Sequence, residues 1–248
     1  MSGHSKWATI KRAKGAADAK RGMLFTKLAK NISVAVKTGG GTDPVFNFKL
    51  RMAIDRAKDA AMPNDNIDRA IKRGAGEDRE AIEQVTYDGY GPAGSAFLVE
   101  AITDNTNRTL QSIRTIFAKN GGRMGEQGSV AWMFESKGQI LVEKSAFAKA
   151  TADRQPDIKN LSLELIDYGV EDVKETEHGL EIYTLPMDLE KTKKFIENKG
   201  IKVLSSELIM RPQQSVEIPE GEIEKIQTLI DALNNDDDVI EVYTNTNL

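Results

Sequence analysis

Apolar residues recur at three- and four-residue spacing through roughly the first third of the chain and in short β-branched runs afterwards. This pattern predicts a helical segment followed by sheet-bearing ones. In residues 23–38, Leu24, Leu28, Ile32 and Ala35 form one stripe, and Gly39, Gly40 and Gly41 end it as a C-cap and hinge. Asp43 and Pro44 predict the N-cap and first-turn proline of a second helix that buries Leu50, Ala53, Ile54, Ala57, Ala60 and Ala61 and stops at Met62-Pro63. Asn64 or Asp65 is expected to cap a short third helix with Ile67, Ala70 and Ile71 inward. Lys72, Arg73 and Gly74 close it, the cations meeting the negative helix end.

Past Gly76 the texture becomes that of strands separated by glycines. Residues 85–87 and 96–102 read as strands, 107–119 as a helix with Leu110, Ile113, Ile116 and Phe117 apolar, and 129–134 as a further strand. Then follow a strand at 139–142, a helix at 157–168, strands at 173–177 and 180–185 around a His178-Gly179 turn, a helix from Asp188 to Lys199 and a strand at 202–209. That order, β-α-β-β-α-β, is ferredoxin-like. The tail adds a strand near Val216, a helix at 220–234 and a strand at 239–243, too little to form its own core. Its partner is the incomplete piece at 85–134. The expectation is a mixed α/β (α+β) protein with a basic helical N-terminal domain and two ferredoxin-like α/β domains, one inserted into the other. The predicted boundaries are 1–78, then 79–135 with 212–248, and 136–211 for the insertion.

Charge divides the chain as sharply as periodicity does. The net charge is −4, yet residues 1–80 hold 17 lysines and arginines against 9 acids, +8, whereas residues 81–248 hold 17 against 29, −12. Lys6, Lys11, Arg12, Lys14, Lys20, Arg21, Lys27, Lys30 and Lys37 are opposed only by Asp18 up to residue 42. Such density neutralises phosphates and releases counterions, so the first eight of these are candidate nucleic-acid contacts. Trp7 among them either stacks on a base or anchors the arm. The acidic remainder, repelled by phosphate, confines contact to the arm and offers a surface to a protein partner.

Catalytic readings find no support. The 248 residues contain no cysteine, which excludes disulfides and thiolate metal sites and suits a reducing, cytoplasmic setting, and no run has the length of a signal peptide or membrane span. Gly89-Tyr90-Gly91-Pro92-Ala93-Gly94 matches a dinucleotide-binding spacing but lies between two strands instead of opening a helix, and no phosphate-cradling loop of the Walker type occurs. His4 lies in the arm and His178 at a turn, where a positive φ is tolerated, and neither has a spaced ligand partner. Asp236, Asp237 and Asp238 read as a solvated loop. The expectation is therefore a non-enzyme without metal or cofactor, away from the membrane.

Several uncommon motifs carry a resemblance. Gly3-His4-Ser5-Lys6-Trp7, Lys11-Arg12-Ala13-Lys14, Asp18 to Gly22, Asn64 to Ile67, Tyr87 to Pro92, Thr103-Asp104-Asn105 with Asn107-Arg108-Thr109, and Gly121-Gly122 leading to Gly128-Ser129-Val130 and Trp132-Met133-Phe134 resemble those of the YebC/PmpR family. Thr106 stands where the family often carries another arginine. The resemblance covers the full chain and implies a three-domain α/β transcriptional regulator that binds DNA. It equally implies a rival, a ribosome-associated translation factor relieving stalled elongation; a third reading is a scaffold joining nucleic acid to a protein. A second candidate site is the loop holding Asn105, Asn107 and Arg108, where free backbone N–H groups at a helix start suit an anion or partner, or are simply capped by Asn105 or Thr106.

Overall fold

The first apolar stripe lies on helix α1 (Asp18–Thr38) of a computed structural model that describes residues 18–76, 82–148 and 158–247. Leu28, Ile32, Ala35 and Val36 pack with Leu50, Ala53, Ile54 and Ala57 of α2 (Phe48–Asp59) and Ile67 and Ala70 of α3 (Asn64–Ala75) in one apolar core. α2 starts later than its sequence suggests. Its cap is Asn47, which accepts the Leu50 N–H at 2.9 Å and donates to the carbonyls of Ala35 and Gly41 at 2.9 and 2.7 Å. These bonds of a fully buried side chain tie the end of α1 to the start of α2, whereas Asp43 is exposed and its carboxylate accepts the Val45 N–H, outside the helix.

Three further expectations for this segment change. Ala61 does not belong to the buried stripe of α2 but follows the helix, exposed, at φ +57°. Neither Asn64 nor Asp65 caps α3; Pro63 holds the cap position, without a side-chain bond. Gly74 does not end α3 either but lies inside it; a Cβ there would stand 2.6 Å from the Ser33 carbonyl of α1. The adjacent Ser33 hydroxyl donates to the Ala70 carbonyl at 2.8 Å, so the glycine marks close helix approach.

The chain divides into two units, residues 1–135 with 212–248 and residues 136–211. In the first, β1 (Glu83–Tyr90), β2 (Ala96–Thr103), β3 (Arg123–Met124) and β9 (Val239–Thr244) form an antiparallel sheet in the order β3-β1-β2-β9. Alternate residues Phe97, Val99 and Ala101 bury against Ile113 and Phe117 of α4 (Thr106–Lys119) and Ile226, Leu229, Ile230 and Leu233 of α8 (Glu220–Asn234). The tail thus completes the sheet begun at residue 83, and β8 (Val216–Glu217) pairs in parallel with β10 (Thr246–Asn247) outside it.

The expected strand at 129–134 is instead a pinned turn. The carboxylate of buried Asp88 accepts the backbone N–H groups of Gly128, Val130 and Ala131 at 2.8, 3.1 and 2.9 Å. These bonds replace the ladder a strand would need.

The second unit holds β4 (Phe134–Glu143, from residue 136 onward), α5 (Lys144–Ala148), α6 (Ile158–Tyr168), β5 (Asp172–Glu175), β6 (Gly179–Thr184), α7 (Leu189–Asn198) and β7 (Val203–Pro212, up to residue 211). Its sheet order β5-β6-β4-β7 is the ferredoxin-like arrangement expected from the sequence. Tyr168 of α6 stacks on Phe195 of α7 with ring centres 4.1 Å apart. The positive φ of its hairpin falls on Gly179, not His178.

Candidate nucleic-acid interface

The nine arm residues divide by position. Lys6, Trp7, Lys11, Arg12 and Lys14 lie outside the described residues. Lys20 and Arg21 fall in the first turn of α1, with Arg21 exposed. Lys27 and Lys30, one turn apart further along, have partners within the protein. The Lys27 Nζ donates to the Asn234 carbonyl at 2.6 Å, and the Lys30 Nζ to the Asp237 carbonyl at 3.0 Å and Asp238 Oδ1 at 2.8 Å. α1 is therefore fastened at its middle to the loop between α8 and β9. Burial pushes the Lys27 ammonium down to about 8, against the opposing pull of Asp236 and Asp237.

The Asn105 loop meets the same carboxylate from the other side. Asn105 caps α4 by accepting the Arg108 N–H at 3.0 Å. The Arg108 guanidinium donates to Asp104 Oδ1 at 2.7 Å and Asp238 Oδ2 at 3.1 Å. Thr109 Oγ1 donates to Asp238 Oδ2 at 2.7 Å, and Thr103 Oγ1 lies 3.3 Å from it. Asn107 is exposed. Burial alone would raise the Asp238 carboxyl, but the bonds from Lys30, Thr109 and Arg108 outweigh it and hold the group at about 2.

Asp238 corrects the reading of residues 236–238 as a solvated run. Its side chain is only 10% exposed, Asp236 accepts the Ser112 hydroxyl, and the Asp238 backbone carbonyl accepts the Ile102 N–H at 2.8 Å. Three acids in a row after a helix carry no sign of which is inward, so the residue that joins both candidate sites was invisible in the sequence. A parallel tie joins α2 to the sheet. Glu100 and Glu241 face each other across β2 and β9, and Arg56 pairs with Glu241. Burial raises the Glu100 carboxyl, and the Arg56 charge opposes that rise.

The glycine motif at 89–94 serves packing. A Cβ at Gly89 would lie 2.4 Å from the Phe117 ring, and one at Gly91 2.4 Å from the Phe97 ring. Gly94 turns the chain with φ +74° after Ala93 at +54°. Tyr90 meanwhile donates its hydroxyl to the Ser129 carbonyl at 3.3 Å and carries the Arg123 guanidinium 4.8 Å above its ring. The motif and the pinned turn are one construction. Trp132 stands on that turn, 67% exposed, its indole N–H donating to the Ser129 carbonyl at 2.9 Å. Among the described residues no group of three acids or histidines has a metal-holding arrangement, and no helix is long and apolar enough to cross a membrane.

A helical N-terminal segment fastened through charged side chains to an antiparallel sheet, with a ferredoxin-like unit inserted before the last sheet strand, defines the class of protein. Two family models divide the chain similarly: residues 5–77 match the N-terminal domain of TACO1/YebC proteins, and residues 82–246 match their second and third domains. The chain belongs to the TACO1/YebC family. It is 50% identical to a probable transcriptional regulatory protein of Bacillus licheniformis, over 99% of each chain. It is 47% identical to the probable transcriptional regulatory protein YrbC of Bacillus subtilis, again over 99% of each. Among solved structures it resembles a conserved hypothetical protein from Aquifex aeolicus, with a TM-score of 0.84 and 40% identity, covering 98% of this chain and 97% of that one.

Proposed function

We propose that the protein is a non-enzymatic transcriptional regulator that binds DNA by neutralising phosphates with the basic segment leading into α1. The observation that carries this reading is the charge partition: Lys6, Lys11, Arg12 and Lys14 precede the first acid of the chain, Asp18. The names of the relatives support the regulatory role. Phosphate contact rests on Lys6, Lys11, Arg12, Lys14, Lys20 and Arg21, with Trp7 among them in the sequence; Lys27 and Lys30 bond the Asn234–Asp238 loop. Arg108, on the helix that Asn105 caps, takes the role of orienting the loop on which α1 is docked, exposed Asn107 beside it is left to an anion or partner, and the acidic remainder faces a protein partner.

The test is a salt titration of the full chain on a duplex promoter fragment. Six neutralised phosphates give log affinity a slope of about −5 against log salt, and deletion of residues 1–17 removes most of it. A deletion variant that binds as the full chain does overturns the reading.

One observation favours a second reading, ribosomal RNA as the target. α2 and α3 are spaced like a helix-turn-helix, but α3 exposes Asp65 and Asp68 in its first turns, where a groove-reading helix approaches the bases and phosphates. Co-sedimentation with ribosomes that is lost on deleting residues 1–17, with no duplex binding, selects this alternative.

A further inference from the structure

Phe46, in the loop between α1 and α2, has the most exposed aromatic ring among the described residues, at 85%; its neighbour Val45 is 71% exposed. The loop beneath the ring is fixed. Asp43 accepts the N–H of Val45 through Oδ1 at 2.8 Å and those of Phe46 and Asn47 through its carbonyl at 3.2 and 2.9 Å. The Arg51 guanidinium donates to the Pro44 carbonyl at 3.3 Å, and the buried Asn47 amide ties the loop to α1. None of these bonds uses the Phe46 ring. A fixed backbone thus holds an apolar plane out in water, which burial within this chain does not explain.

The surroundings narrow what can cover it. Lys49 is exposed three residues on, and the first turn of α2 holds no acid, so the positive end of that helix is uncompensated by acids of its own. The carboxylate of Asp43 is engaged by the loop itself. The segment as a whole carries the positive half of the charge partition. A flat apolar ring in cationic surroundings complements a flat heterocycle carried on a polyanion. In a duplex the faces of the bases are stacked on one another, so only an unpaired base presents one.

We infer that Phe46 is a stacking platform for an unpaired base of single-stranded nucleic acid, with Lys49 taking an adjacent phosphate. This rests on the nucleic-acid reading above and adds a strand preference to it.

The test is fluorescence anisotropy of the full chain with a labelled oligoadenylate strand, its DNA counterpart, and each annealed to its complement. RNA and DNA strands distinguish the two sources of the base. Phe46→Ala is expected to weaken single-strand binding on the order of tenfold and leave duplex binding unchanged. Phe46→Leu, apolar but not planar, is expected to lose as much, and Phe46→Trp to restore binding. Equal single-strand affinity for wild type and Phe46→Ala overturns this inference while leaving the arm reading intact. Wild-type affinity in Phe46→Leu overturns stacking. A wild-type chain that binds none of the four probes overturns both readings together.

Discussion

The Lys30 Nζ lies 2.8 Å from Asp238 Oδ1, joining the middle of α1 to the residue immediately before β9 across 208 positions of sequence. The other carboxylate oxygen accepts from Thr109 and Arg108. One acid therefore organises the helical segment and the helix α4 that follows β2. Two of the lysines that look like phosphate contacts along the chain are part of this internal joint.

Asp238→Asn is expected to lower stability by about 2–3 kcal/mol, because the substitution leaves Lys30 and Arg108 facing a neutral amide. A carboxyl held at about 2 in the folded state, below its ordinary 3.8, contributes stability that is complete above about pH 4 and lost as pH falls through 2. Urea melts at pH 7, 4 and 2.5 check this. The difference between wild type and variant should shrink at the lowest pH.

Lys27→Met is expected to stabilise the protein by about 1–2 kcal/mol at pH 7, since burial opposes the charge while the stem packs. With the folded ammonium at about 8 and the unfolded one near 10.5, the folded state binds fewer protons between them. Wild-type stability therefore rises as pH climbs from 8 toward 10. The variant should lack this rise in thermal melts across the interval.

Gly89→Ala is expected to cost about 2–3 kcal/mol by overpacking, because the new methyl would sit 2.4 Å from a Phe117 ring carbon. Phe117→Leu in the same chain should recover part of the loss, a coupling that chemical denaturation of the four-variant cycle reads directly. Additive losses would mean that the ring is not what requires the glycine.

Ala61→Gly is expected to stabilise by about 0.5 kcal/mol. Ala61 follows α2 at φ +57°, with the Met62 N–H bonded to the Ala57 carbonyl at 2.9 Å, the closing bond of a left-handed helix cap. A non-glycine residue there costs about 1 kcal/mol, partly returned by the greater freedom of glycine in the unfolded chain. Denaturant midpoints at constant m-value check it.

The features legible before folding are local. The 3.6-residue stripes of α1, α2 and α3, the β-α-β-β-α-β order of the inserted unit, and the charge partition follow from spacing and side-chain type, which a chain carries before it folds. The tail's membership in the first sheet also followed, since a lone β-α-β piece has no face to bury against. Caps and termini were less legible: Asn47 displaced Asp43 because it alone reaches two carbonyls of the preceding helix and its end loop, and Gly74 looked like a stop until α1 lay against it. Which charged residues are joined is set by packing across the fold. Asp238, Lys30 and Arg108 have nothing in their spacing to connect them, and Phe46 reads along the chain as one more apolar residue. Long-range pairing and exposure depend on which surfaces meet when helices and sheet pack, and no periodicity encodes that.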